Sequence, residues 1–426
     1  MQITDGYGLT LTAGEDAAAA YTRGIDRVLR MRSGAVDSVA MAITLDPTFA
    51  LGHAALALFG HELCAQVDVD ARLRDAQLHA RRSTERERSH VHAIVEHIRG
   101  NSAPLVSHLE RHPRDALLLS TAVPTIAFAG VTSIPEEAWQ IVERAEPAYG
   151  NDWWYAGLLA FMRQEQGRFD EAMDLACSSL AEQPDAGHSA HARAHAHYET
   201  GDHVRGLSWM DEWVEGDGAA TESLSHFSWH AALHELSLGD LDAVRARYQG
   251  QLRPEYGLGC RALVDTGSLL WRWALTPGAD DVPAMEEVTR AVNDGSLSRP
   301  ATPFLGMHAA VALLALDDAA GLERLATWTE SHPDRTHAEV VAPLARAMKL
   351  MAEGSCSAAA DRLAALGPQV WRLGGSDAQR EVVEETRIAA LLRAARYDEA
   401  REVLDRRLDR RHCRRDEAWL ADCTPA

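Results

Sequence analysis

WWYAGLLAFMRQEQGRFDEAMDLACSSLAEQP, residues Trp153–Pro184, is two helices and a turn in one line. Leu158, Leu159, Phe161 and Met162 recur at helical spacing, and after a break Ala172, Met173, Leu175 and Ala176 do so again. Between the two stripes, Gly167 is expected to stop the first helix and Asp170 to cap the second. Ala172 is small enough for the helices to cross closely, and Pro184 cannot continue the second one. The reading is a helical hairpin. Ala395–Ala400, ARYDEA, repeats the device inside AALLRAARYDEAREVLDRRL near the C-terminus.

Proline supplies the period. Pro47, Pro113, Pro147, Pro184, Pro333 and Pro368 each follow an apolar helical stretch, where proline is tolerated just past a helix end. Their spacings are 66 (twice 33), 34 and 37 residues along the first four, and 35 between Pro333 and Pro368. Gly167 to Gly201 is 34 residues and Gly201 to Gly239 is 38. A period near 34 built from two helices is the signature of a tetratricopeptide array. The expected fold is therefore all-α, a tetratricopeptide-like α-solenoid of antiparallel helix pairs curled around a concave central pocket. Degenerate repeats are expected over 1–150, the best-formed ones over 151–250, and a continuation of the same solenoid over 251–426. Asp280–Pro303, rich in Asp, Gly, Pro and Ser, reads as a long loop or a break. The basic run Arg406–Arg415 reads as a helix end complementing the helix dipole.

Composition narrows the function. The chain of 426 residues is 46% apolar and 25% charged, ordinary for a folded protein. Its net charge of -21 argues against an electrostatic grip on nucleic acid or anionic lipid. Lys349 is the only lysine, which we attribute to genomic base composition. Cys64, Cys177, Cys260, Cys356, Cys413 and Cys423 are scattered, which excludes a zinc ribbon and a disulfide framework. The first residues, MQITDGYGLTLTAGEDA, do not read as a secretory signal, and no apolar run is long enough to span a bilayer. A reducing cytoplasm fits these features.

Histidine supplies the candidate site. Of the 20 histidines, eight fall between His188 and His234. His191/His195 and His226/His230 are i, i+4 pairs, so each pair shares one helix face. In tetratricopeptide arrays the first helix of each repeat lines the groove. The glycine register then turns His188, His191, His195 and Tyr198 toward the groove from one repeat, and His226, Trp229 and His230 from the next. Trp154 and Phe161 face it from the repeat before.

The segments HARAHAHYETGDHVRGLSWM (191–210), HFSWHAALHELSLGD (226–240) and DTGSLLWRW (265–273) resemble the tetratricopeptide repeat protein 38 family. FLGMHAAVAL (304–313) and RERSHVHAIVEHIRG (86–100) fit as well. The motif matches are His191/His195, then His226/Trp229/His230, then Asp265/Ser268/Trp271, with His308 in the later segment. The family's acidic residue after the second histidine falls on Tyr198, with Glu199 beside it. The resemblance covers the chain roughly from Leu45 onward. It implies a helical repeat fold and a shared site, and brings no reaction or substrate with it.

Four chemistries suit these residues. The first is a pocket for a small molecule or a short peptide, with His188, Tyr198, Trp154, Trp229, Trp271 and His308 as ligand-binding residues. The second is acid–base catalysis by His191, His195, His226, His230 and Asp265, the carboxylate orienting an imidazole. Ser228 and Ser268 lie outside any nucleophile elbow, so covalent catalysis has no evident agent. The third is a metal held by His191, His195, His226 and His230, although neither pair is a His-Glu-x-x-His motif. No cofactor is otherwise required by the sequence; a divalent metal is the single candidate. The fourth is a protein-interaction scaffold, the usual role of the fold, although only Arg193 and Arg205 are basic across 188–234. The histidines of the N-terminal third read as surface or satisfied polar positions, with His90, like His308, in a family-like segment.

Overall fold

A computed structural model describes residues 3–62, 65–123, 135–257, 259–292 and 294–423. Cys64 lies outside the described residues, and the other five cysteines are free thiols. Among the described residues all extended regular structure is helical, apart from two isolated bridges, Thr4–Thr10 and Arg32–Thr221. Among the same residues no helix is long and apolar enough to cross a membrane.

The chain divides into two compact units, 1–193 with 217–223, and 194–216 with 224–426. The first contains α1 (Glu15–Leu29), α2 (Ala35–Leu45), α3 (Ala50–Glu62), α4 (Val69–Ala80) and α5 (Glu85–Ile98). It continues with α6 (Ala103–Arg111), α7 (Ala116–Ala122), α8 (Pro135–Tyr149), α9 (Trp153–Glu165), α10 (Phe169–Glu182) and the start of α11 (Gly187–Glu199). The second takes the rest of α11, then α12 (His203–Glu215), α13 (Leu224–Leu238), α14 (Leu241–Arg247), α15 (Ser268–Leu275) and α16 (Met285–Ala291). It closes with α17 (Asp294–Ser298), α18 (Pro303–Ala315), α19 (Ala319–Glu330), α20 (Ala342–Ala352), α21 (Cys356–Leu366), α22 (Asp377–Arg393), α23 (Tyr397–Arg410) and α24 (Arg414–Asp422). Three π-helical turns interrupt it, Tyr248–Leu252, Ala262–Gly267 and His337–Val341.

Neighbouring helices pack in pairs: α1 with α2, α3 with α4, α9 with α10, α12 with α13, and α19 with α20. The turn chemistry is the one expected. Gly167, Gly201 and Gly239 all take a left-handed backbone, at φ 73, 74 and 74°. A side chain strains that conformation, so glycine repeats where the chain reverses. Ala395 holds the same place between α22 and α23 at φ 54°.

Four expectations change. Asp170 sits inside the first turn of α10 while Arg168 is the cap residue; an aspartate there still favours the helix dipole. Pro147 lies within the last turn of α8 and does not follow its end. Asp280–Pro303 carries two short helices, α16 and α17. In the Arg406–Arg415 run, Arg407, Arg411 and Arg415 are buried. They pair with Glu381, Glu385, Glu199 and Asp416.

α13 positions the candidate site. Every residue from Ser225 to Ser237 is buried, so this helix is enclosed all round within its unit. The small residues Ala194 and Ala196 of α11 are fully buried too, leaving room for imidazoles between them.

Candidate functional site

The second unit brings His195, His226, Trp229, His230, Asp265 and His308 into its interior, all at most 2% exposed. The His195 and His230 rings meet edge to face with centroids 4.5 Å apart. His230 meets His226 in the same way at 4.8 Å. His226 lies flat on Trp229, at 5.5 Å and an interplanar angle of 14°. Its Nδ1 is 2.8 Å from Asp265 Oδ1. An ionised Asp265 accepts from Nδ1–H, which leaves His226 Nε2 as the ring's lone-pair nitrogen.

Asp265 stands on the π-helical turn Ala262–Gly267. Such turns are rare and recur at functional sites, because the extra residue re-aims a side chain. Among the described residues, Asp265 Oδ2, Trp229 Nε1 and both ring nitrogens of His308 are buried without a hydrogen-bond partner. Each such atom costs about 1–3 kcal/mol.

Burial sets the protonation states. It holds His195 at about 3, with His226 and Arg380 pushing the same way. It holds His308 at about 3 as well, with Arg272 adding to the depression and Asp265 opposing it. Both imidazoles are neutral near pH 7 and reluctant to take up a proton there, so each offers one N–H donor and one lone-pair acceptor.

Arg272 supports this cluster and escaped the sequence reading. Its guanidinium lies 5.9 Å from the centre of the Trp229 ring. It donates to Ser268 Oγ at 3.2 Å, Glu385 Oε1 at 3.3 Å and the Ala378 carbonyl at 2.7 Å. An arginine between two tryptophans, in LLWRW, was the available signal. A second imidazole pair, His203 and His234, was also missed, with Nδ1 atoms 3.1 Å apart. His203 Nε2–H donates to the His412 carbonyl at 3.1 Å, so His203 Nδ1 accepts from His234 Nδ1–H. His234 continues the i, i+4 run of His226 and His230.

The other predicted residues are placed as follows. In the first unit His191 is buried, stacked on Phe161 at 5.1 Å, and precedes His195 by one turn of α11. His188 is buried there and held at about 4 by desolvation. Trp154 belongs to an aromatic group with Tyr7, at 6.2 Å, and Tyr149, at 5.6 Å. In the second unit Tyr198 donates to Glu381 at 2.7 Å, with the Arg411 guanidinium 4.1 Å over its ring. Trp271 Nε1 donates to Thr386 Oγ1 at 2.9 Å. A cavity of about 320 Å³ lies beside Trp371, Arg380 and Arg387, and one of about 290 Å³ beside Val106 and Ile141. Neither is lined by a predicted site residue.

No family model matches the chain.

Proposed function

We propose that the histidine cluster of the second unit binds a small polar ligand. The carrying observation is the desolvated Asp265–His226 pair, with Asp265 Oδ2 and His308 left unsatisfied beside it. A ligand with both donors and acceptors would satisfy these atoms, and Trp229 offers a flat apolar wall. The imidazoles stand at contact distance, so such a ligand enters by turning rings about their side-chain torsions.

The Asp–His pair favours a second reading, acid–base catalysis, in which His226 Nε2 takes a proton from the bound molecule and Asp265 steadies the cation formed. The left-handed glycine turns and paired helices support a tetratricopeptide-like solenoid curled about this site. The ordered histidine and tryptophan segments support kinship with the tetratricopeptide repeat protein 38 family. Interaction with a protein partner is the third reading, and it rests on the fold alone.

Native mass spectrometry of the untagged full chain tests the proposal. The expected result is a co-purified compound that disappears in Asp265→Asn while helical circular dichroism is kept. A compound retained by Asp265→Asn, or a wild-type chain that carries none and binds nothing in a polar metabolite panel, overturns it.

A further inference from the structure

The first unit carries a separate cluster that the proposal above does not use. His61 and Glu62 end α3, and His97 lies in the last turn of α5. One ligand atom from each lies within 4.8 Å of the other two. His97 Nε2 is 2.8 Å from Glu62 Oε1, and His61 Nε2 is 3.7 Å from the same oxygen. The two rings stand edge to face at 5.8 Å. We infer that His61, Glu62 and His97 form a divalent metal site, with zinc as its ion.

Three observations point to a ligand there. Glu62 is 6% exposed, and among the described residues its Oε2 has no hydrogen-bond partner. A buried carboxylate oxygen left unsatisfied is costly, and a cation relieves it. Next, His97 is held from behind, its Nδ1 2.8 Å from Ser102 Oγ. Ser102 occupies the cap position of α6 yet makes no side-chain cap bond. Its hydroxyl serves the imidazole instead, the arrangement that orients a metal-binding histidine. A hydroxyl both donates and accepts. It can therefore donate to Nδ1 while Nε2–H faces Glu62, or accept from Nδ1–H while Nε2 binds a metal. Finally, His61 is about one-third exposed (35%), which leaves the cluster an entry path and room for water as a fourth ligand.

Two imidazoles and a carboxylate are a recognised zinc set, with bonds of about 2.0–2.2 Å. Tetrahedral geometry then places ligand atoms about 3.3 Å apart. Reaching it needs the 2.8 Å pair to open by roughly half an ångström and His61 to close by less.

The test uses the untagged full chain stripped with a chelator, then titrated with zinc chloride and, separately, with cobalt chloride. Zinc uptake is read by elemental analysis after gel filtration, and cobalt by its visible absorption. His61→Ala is the informative variant, since a partly exposed ring at a helix end does not endanger folding. We expect it to lower the zinc stoichiometry by one and to abolish the cobalt spectrum. Ser102→Ala is expected to weaken zinc binding about 10–100-fold with the stoichiometry kept. His412→Ala, at an exposed histidine of the other unit, is expected to leave both readouts unchanged. Wild-type protein that takes up no zinc, or His61→Ala that matches it in stoichiometry and spectrum, overturns the assignment.

Discussion

Asp265 Oδ1 lies 2.8 Å from His226 Nδ1, and both side chains are at most 3% exposed. A buried carboxylate that keeps its charge depends on that single imidazole and on whatever meets Oδ2. His226→Leu should therefore strand the charge and cost about 3–5 kcal/mol. The double variant His226→Leu/Asp265→Leu should recover most of the loss, because an apolar pair of similar bulk needs no partner. Urea unfolding of the three variants and the parent closes the cycle. A double variant no more stable than His226→Leu would show that Asp265 is neutral in the fold and that the pair is not a charge-based dyad.

Buried neutral histidines make the fold sensitive to acid. Burial holds His195 and His308 at about 3, and His188 and His203 at about 4. Unfolding releases each to about 6.5. Below that value the unfolded chain binds more protons, so stability is complete above pH 6.5 and falls as the pH drops toward the folded values. Asp115 and Glu381, held low mainly by their histidine and arginine partners against burial, add to the loss below about pH 4. At pH 5.5 we expect roughly two to four protons taken up on unfolding, a slope of about 3–5 kcal/mol per pH unit. Urea midpoints measured from pH 5 to 8 give this number. His308→Leu should lower it by about one, and an uptake below one proton in the parent contradicts the assignment.

Helix boundaries were legible because they are local. A glycine, a change of stripe and a proline each act within a few residues, and Gly167, Gly201 and Gly239 behave alike. Pro147 misled because proline is also accommodated inside α8, near its end, where few helical bonds remain to be broken. The i, i+4 histidines were readable for the same local reason, and α13 does carry His226 and His230 on one face. The partner Asp265 came only with the resemblance, since a contact 39 residues away leaves no local trace. The misreading of Arg406–Arg415 is instructive. Arg407, Arg411 and Arg415 are spaced by four, as are Glu381 and Glu385 on α22. The basic row read as a helix end complementing the dipole, and only the packing of α22 with α23 brings the acidic row to it.

Ala395 is a hairpin residue whose chemistry disagrees with its backbone. It is exposed, at φ 54°, in the place that Gly167, Gly201 and Gly239 hold in their hairpins. An L-residue pays about 1–2 kcal/mol in that region, and glycine loses roughly 0.5–1 kcal/mol of extra chain entropy on folding. Ala395→Gly should be net stabilising by about 0.5–1 kcal/mol. Differential scanning calorimetry reads it as a small rise in Tm; a fall would mean that the turn is not held in this geometry.

The buried ion network around α22 should be the costliest place to substitute. Arg411 is 2% exposed, donates to Glu199 at 3.0 Å and to the Tyr198 hydroxyl at 3.1 Å, and pairs with Glu381. Taking away the cation leaves Glu199 without its guanidinium in a desolvated space, while Glu381 keeps Arg407 and Arg410, and this has a larger effect than losing a surface pair. Arg411→Met, which keeps the bulk and removes the charge, should cost about 3–5 kcal/mol. Arg205, exposed and 3.7 Å from Asp202, makes the matching surface pair, and Arg205→Met should stay within about 0.5 kcal/mol of the parent. Adding Glu199→Gln to Arg411→Met should restore part of the loss by removing the stranded charge. Equal unfolding midpoints for the two single arginine variants would mean that the interior arginine is not paired as described.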